Sequence, residues 1–337
     1  MSTSIVALLR TSAAVGAVWC LSLLSGCASS RPDLSGCVYP APPDTARYAL
    51  VNVLRGADDF DRSVFDVLFG KRAGGSFVKP FGVAFDTSGN IAVADAFAGG
   101  VVYIDMKAQR IRSLTNENFQ LPLNLTYDSK NILYIADGKA KRIWVMNDQG
   151  ELIGKIGAPG QLLNPVDVAV DEPRGRVYVA DSYKHAIMVY TMKGDSIGMI
   201  GSRGDSTMQF NYPTNIALNA HGDLYVVDAM NFRVQVISPE GTFVRMFGSV
   251  GDGFGQFTRP RGIAIDQEGR VYVADAAFNN FQVFTAEGQL LTFVGHSGAR
   301  PGEFNQPAGI AFDGKDEFAV VDQINRRIQV FKALAVK

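Results

Sequence analysis

The sequence predicts an all-β fold of six repeated, four-stranded units that close into a ring. Four observations predict it. Proline recurs before an apolar strand at positions 80, 122, 165, 213, 260 and 307, in KPFGVAFD, LPLNLTYD, NPVDVAVD, YPTNIALN, RPRGIAID and QPAGIAFD. Each unit continues with a strand ending in Asp (IAVAD, LYIAD, VYVAD, LYVVD, VYVAD, FAVVD) and then a third strand (VVYID, RIWVM, AIMVY, RVQVI, FQVFT, RIQVF). A fourth strand often ends in Gly, as in LIGKIG, SIGMIG, FVRMFG and LLTFVG. Finally, the chain of 337 residues holds 35 Gly and 22 Phe and almost no sustained helical periodicity, which fits many short strands joined by turns.

The leader is justified first. Residues 1–26 read as a signal peptide: one charge at Arg10, then an uncharged run from Thr11 to Leu24, too short to span a bilayer comfortably. Leu24-Ser25-Gly26-Cys27 closes that run and resembles the lipobox of bacterial lipoproteins, which implies acylation of the Cys27 thiol and a new N-terminus there. A second Leu-Ser-Gly-Cys ends at Cys37, but polar Arg31-Pro32-Asp33 lies upstream of it, so it reads as coincidence and Cys37 as a bystander. Ala28 stands at the position where Asp would retain a lipoprotein at an inner membrane. The resemblance therefore implies anchoring in the cell envelope, at an outer membrane. Residues 27–46, rich in Pro, Ser and Ala, read as a flexible tether.

The ring itself is expected over 47–337. Prolines separated by 42, 43, 48, 47 and 47 residues, with four strands per unit, mark a six-bladed β-propeller of antiparallel blades. Strands this apolar need cover on both faces, which neighbouring blades supply. The last unit has three strands, so the ring must be closed by an N-terminal strand. VFDVLFG at 64–70 matches the fourth-strand pattern and is expected to pair with residues 328–331. RYALVNVL at 47–54 is expected as one more strand, outside or beside the closing blade.

The pattern Pro-x-Gly-[Ile/Val]-Ala-x-Asp, then Val-Tyr-Val-Ala-Asp, then Asn-x-Arg-[Ile/Val]-Gln-Val-Phe resembles the NHL repeat family over about 64–337. Asn231-Phe232-Arg233 and Asn325-Arg326-Arg327 carry the last step most clearly. The resemblance implies a partner-binding propeller, but a fold of this kind does not fix a function.

Repeated polar residues read as structural. Asp95, Asp137, Asp181, Asp228, Asp275 and Asp322 share one register, where a strand-end carboxylate accepts turn N–H groups. Asp86, Asp128, Asp171, Asn219, Asp266 and Asp313 open the first hairpin of each unit. Arg142, Arg233 and Arg327, each five residues after the repeat Asp, suit an Arg–Asp or Arg–backbone contact inside the blade. The three histidines, His185, His221 and His296, fall at different places in the register, so neither a zinc site nor a Ser-His-Asp triad is expected. With 32 basic and 33 acidic residues, no nucleic-acid partner is expected.

Function is sought in what does not repeat. The loops leading into the first strand and joining the second to the third emerge at one end of the ring. There the expected binding face comprises Phe81, Leu123, Asn124, Asp167, Tyr183, Lys184, Asn215, Phe232, Arg261, Phe278 and Arg326, joined by Val166, Thr214, Phe97 and Met230. Aromatic and Arg side chains are enriched at protein interfaces. The expected activity is therefore non-catalytic binding of an envelope protein or extracytoplasmic ligand, without a cofactor. The alternative is an enzyme similar to propeller lactonases and lyases, with Asn124, Asp167 and Asn215 holding an axial Ca²⁺ through oxygens.

Overall fold

The computed structural model describes residues 32–56, 59–60 and 76–335. These form six four-stranded antiparallel blades. Blade 1 comprises Pro80–Phe85, Ile91–Asp95, Gly100–Asp105 and Arg110–Thr115. Blades 2 to 5 repeat this order, opening with Pro122–Tyr127, Pro165–Asp171, Pro213–Leu218 and Pro260–Ile265. Blade 6 contains Pro307–Phe312, Glu317–Asp322 and Arg327–Ala333. Each innermost strand packs against those of both neighbouring blades, and Pro307–Phe312 meets Pro80–Phe85 to complete the ring.

The closing strand is not the one expected. Tyr48–Leu54 pairs antiparallel with Arg327–Ala333 as the fourth strand of blade 6. The register runs Tyr48↔Ala333, Leu50↔Phe331 and Leu54↔Ile328. The segment 64–69 lies outside the described residues, and its expected place is taken. The reason is side-chain fit on both faces. A bulge at Val51 lets Tyr48, Leu50 and Val53 fill the cleft between blades 5 and 6, while Leu54 fills that between blades 6 and 1. Tyr48 makes edge contacts with Tyr272, Phe281 and Phe318, at centroid distances of 6.0, 6.4 and 5.8 Å. Part of the segment 27–46, expected as a flexible tether, is built into the fold. Val38–Tyr39 adds a fifth strand to blade 6, Leu34, Cys37 and Tyr39 pack on its core, and Tyr39 meets Phe331 edge-on. The propeller unit thus includes residues from Leu34 onward, upstream of the expected start at 47.

The core lies in the clefts between adjacent blades, where strands are apolar on both faces. One repeated feature went unread in the sequence. Three residues before each proline stands a buried apolar side chain: Phe77, Phe119, Leu162, Phe210, Phe257 and Phe304. It explains the Gly that ends the fourth strand. Gly201, Gly248 and Gly295 have φ of 84°, 89° and 100°. A Cβ there would sit 2.3 to 2.4 Å from the ring of Phe210, Phe257 or Phe304, so the glycine provides both the left-handed turn and the room for the ring.

The repeat carboxylates clamp the loop that enters each blade. Asp95 accepts from the N–H groups of Val78 and Lys79 at 2.6 and 2.8 Å, and Asp137 from Gln120 and Leu121 at 2.8 and 2.9 Å. Asp181 and Asp275 do the same. In blades 4 and 6 the second donor is received by a neighbouring blade instead. His185 Nδ1 accepts from Tyr212 N–H at 3.2 Å, and Asn279 Oδ1 from Gln306 N–H at 2.8 Å. Arg233 and Arg327 pair with Asp228 and Asp322 at 2.9 and 2.6 Å, whereas Arg142 donates to the Gly157 carbonyl.

Candidate functional site: the axial pocket and its rim

In every blade the pairing between the first two strands slips just after the proline, as between Pro80 and Gly82 or Pro213 and Ile216. A bulge re-aims the side chain that it frees. The freed residues are Phe81, Leu123, Val166, Thr214, Arg261 and Ala308, one per blade. All six line a single cavity of about 190 Å³, together with Asn124, Asn215 and Gly309. The sequence placed most of these on one face. Gly309 shares the axial register of Asn124 and Asn215, and Ala308 alone was missed, although it shares the register of the other five.

The residues beneath make the ring asymmetric. Blades 5, 6 and 1 place Gly262, Gly309 and Gly82 there. A Cβ on Gly262 would lie 2.1 Å from the Ala308 carbonyl oxygen, and one on Gly82 2.1 Å from Asn124 Oδ1. Blades 2, 3 and 4 place Asn124, Asp167 and Asn215 instead. Asp167 is 3 % exposed. Its Oδ1 accepts from Val168 N–H at 2.8 Å, and its Oδ2 from Ile216 N–H at 2.9 Å and Asn215 Nδ2 at 3.2 Å. Burial pushes its pKa from 3.8 up to about 7, against the pull of these donors and of the Asn124 side chain. Asn124 Oδ1 accepts from Leu125 N–H at 2.9 Å.

That arrangement does not fit a Ca²⁺ ion. A Ca²⁺ site takes six to eight oxygens, whereas this trio has one carboxylate, both of its oxygens already face N–H donors, and Asn215 turns its amide nitrogen inward. Among the described residues no group of three or more His, Cys, Asp and Glu side chains is arranged to hold a metal.

Arg261 is the charged group of the pocket wall. Its guanidinium lies 5.7 Å from the centre of the Phe81 ring and donates to Gln323 Oε1 at 3.3 Å. It has no ion pair among the described residues. Burial, and then the like charge of Arg259, lower its pKa to about 10. In the adjacent blade 4, Thr214 Oγ1 is buried without a hydrogen-bond partner.

Around the mouth runs an exposed apolar rim. Two residues after the repeat Asp stand Phe97, Tyr183, Met230 and Ile324, which are 64 %, 61 %, 53 % and 46 % exposed. Leu163 and Tyr212 add to it, and Tyr183 meets Tyr212 edge-on at 6.2 Å. Lys79 lies over Phe97 at 4.7 Å. Ile324 was overlooked in the sequence although its register matches that of Phe97. Of the remaining expected face residues, Arg326 is exposed and Lys184 and Phe278 are half-buried. Phe232 instead packs into the cleft between blades 4 and 5. Cys27 lies outside the described residues.

The family model described as NHL repeat matches residues 162–190, 210–237 and 257–285. None of the curated proteins is a significant match. The chain is similar in structure to a Bacteroides thetaiotaomicron protein of unknown function, with a TM-score of 0.63, 17% identity and coverage of 77% of this chain and 70% of that one. It is also similar to a catalytically inactive virginiamycin B lyase from Staphylococcus aureus bound to quinupristin (0.58, 15%, 77% and 96%). A gluconolactonase from Xanthomonas campestris gives 0.61, 14%, 90% and 99%. At these identities the likeness is one of fold.

Proposed function

Because this chain is a six-bladed β-propeller with NHL repeats matched in three of its blades, we propose that it works as a non-catalytic binding scaffold in the cell envelope. One observation carries this reading: the two ends of the ring differ. The loop end displays Phe97, Tyr183, Met230 and Ile324 at a shared register around a pocket. The opposite end consists of polar turns, DTSGN at 86, NAHGD at 219 and DQEGR at 266. An apolar rim of this kind gains from burial against a partner, at roughly 25 cal/mol per Å² of apolar surface. The partner is a protein, or another extracytoplasmic ligand, with an apolar surface of its own.

The anchor belongs to the same proposal. Leu24-Ser25-Gly26-Cys27 marks Cys27 for lipidation, and Ala28 after it favours the outer membrane. Among the described residues no helix is long and apolar enough to cross a membrane.

Cross-linking in envelope membranes tests the rim. The full chain should capture a defined partner, and the triple variant Phe97→Ser, Tyr183→Ser, Met230→Ser should capture at least about tenfold less. Equal capture by both would overturn the reading. A second, enzymatic reading takes support from Asp167, an axial carboxyl with a pKa of about 7, in a fold shared with a lyase and a lactonase. Steady turnover of a lactone or cyclic ester, lost in Asp167→Asn, would replace the scaffold reading with that one.

A further inference from the structure

We infer that the axial pocket is a binding site for a compact monocarboxylate with an apolar tail, its carboxylate held between Arg261 and Thr214. The inference rests on the loop end being the working face and on nothing else in the scaffold reading.

Two unmet demands meet in one cavity. A guanidinium presents five donors in a planar fork. In this chain its recorded contacts are a single 3.3 Å bond to Gln323 and the face of Phe81. No carboxylate of the described residues pairs with it. A desolvated cation without a counter-ion is costly, and nearby Arg259 adds to the positive potential. Asp167 does not relieve it, because that carboxyl is engaged with Val168, Asn215 and Ile216 beneath the floor. The Thr214 hydroxyl is likewise buried and unpartnered, and buried hydroxyls in native proteins are rarely left so. An anionic oxygen is the acceptor that both groups lack.

The rest of the pocket selects among anions. Phe81, Leu123, Val166 and Ala308 make the remaining wall apolar. One guanidinium and one hydroxyl suit the two oxygens of a carboxylate, with the fork bidentate, and leave a phosphate dianion short of donors. The volume of about 190 Å³ is on the scale of cavities that take one small apolar molecule, and it suits the tail of a short branched acid.

The probe is 4-methylpentanoate, with the uncharged 4-methylpentanamide as its isosteric control, titrated calorimetrically into the full chain. The acid is expected to saturate a single site, and the amide to bind at least about tenfold more weakly, as the loss of a charge-assisted pair implies. Arg261→Met should weaken the acid by about tenfold or more and bring acid and amide level, and Thr214→Val should weaken the acid severalfold. Equal binding of acid and amide to the unaltered chain would overturn the inference without recourse to any variant. So would an Arg261→Met chain that binds the acid undiminished, or no saturable binding below about 10 mM. Neither substitution touches Phe97, Tyr183 or Met230, so loss of acid binding and loss of partner capture are separate results.

Discussion

Asp167 shows how one residue can depart from its repeat and acquire a different physical character. The six repeat aspartates are fully buried, yet each accepts at least one backbone N–H of the incoming loop, so their role follows from register alone. Asp167 has no counterpart: the same position holds Gly, Asn, Asn, Gly and Gly in the other blades. Burial raises its pKa to about 7, whereas in the unfolded chain it titrates near 3.9. The folded chain thus holds the proton more tightly. The stability this contributes is fully present below about pH 4, declines as pH rises towards 7, and is absent above that. Asp167→Asn keeps the size of the side chain and does not titrate, so any constant cost of its amide cancels in the pH dependence. Relative to that variant, the unaltered chain should lose up to roughly 4 kcal/mol between pH 4 and pH 7.5. Urea midpoints at stepped pH would measure this, and parallel profiles would show that Asp167 does not titrate in that range. The sequence revealed that position 167 was unusual, but not that it was sealed. It is enclosed by donors from the adjoining blades, Asn215 and Ile216 on one side and Asn124 on the other, contacts that the repeat pattern does not reveal.

At the scale of the element, the closing strand marks the boundary of what the sequence made legible. Pattern alone favoured 64–69, because VFDVLFG looks like the fourth strands of the other blades. Pattern could not weigh three-dimensional fit. Tyr48 reaches across the cleft to Tyr272, Phe281 and Phe318, and its hydroxyl lies 3.3 Å from that of Tyr272. Burial drives the Tyr272 hydroxyl pKa upward, as expected of a phenol sealed between blades. The six blades themselves were legible because each repeats its own local chemistry. The closing strand occurs once, and its partner is almost 280 residues away. Tyr48→Ala should therefore cost about 3 to 5 kcal/mol, as large-to-small changes in packed aromatic sites do. Val51→Ala, at the exposed bulge of the same strand, should stay within about 0.5 kcal/mol. Thermal denaturation of both variants would check the pair. A mild Tyr48→Ala would mean that the clasp contributes little to closure.

On the scale of the whole molecule, strand pairing and anchoring meet at blade 6. The strand that completes the ring follows directly on Leu34–Tyr39, which packs on the same blade. If Cys27 carries the lipid, the stretch from Cys27 to Leu34 spans at most about 25 Å when fully extended. The two Leu-Ser-Gly-Cys copies separate anchor from fold. Cys27→Ser should shift the protein from the membrane pellet to the soluble fraction and leave the melting temperature of the propeller unchanged, since the propeller's packing is accounted for by residues from Leu34 onward. Cys37→Ser should stay in the pellet and lose about 1 kcal/mol, because Cys37 is half-buried against the closing blade and a hydroxyl there is less favourable than a thiol. Fractionation followed by intact-mass measurement distinguishes the two: acyl mass retained by Cys27→Ser, or lost in Cys37→Ser, would move the anchor to the second copy and leave the propeller with no leash at all.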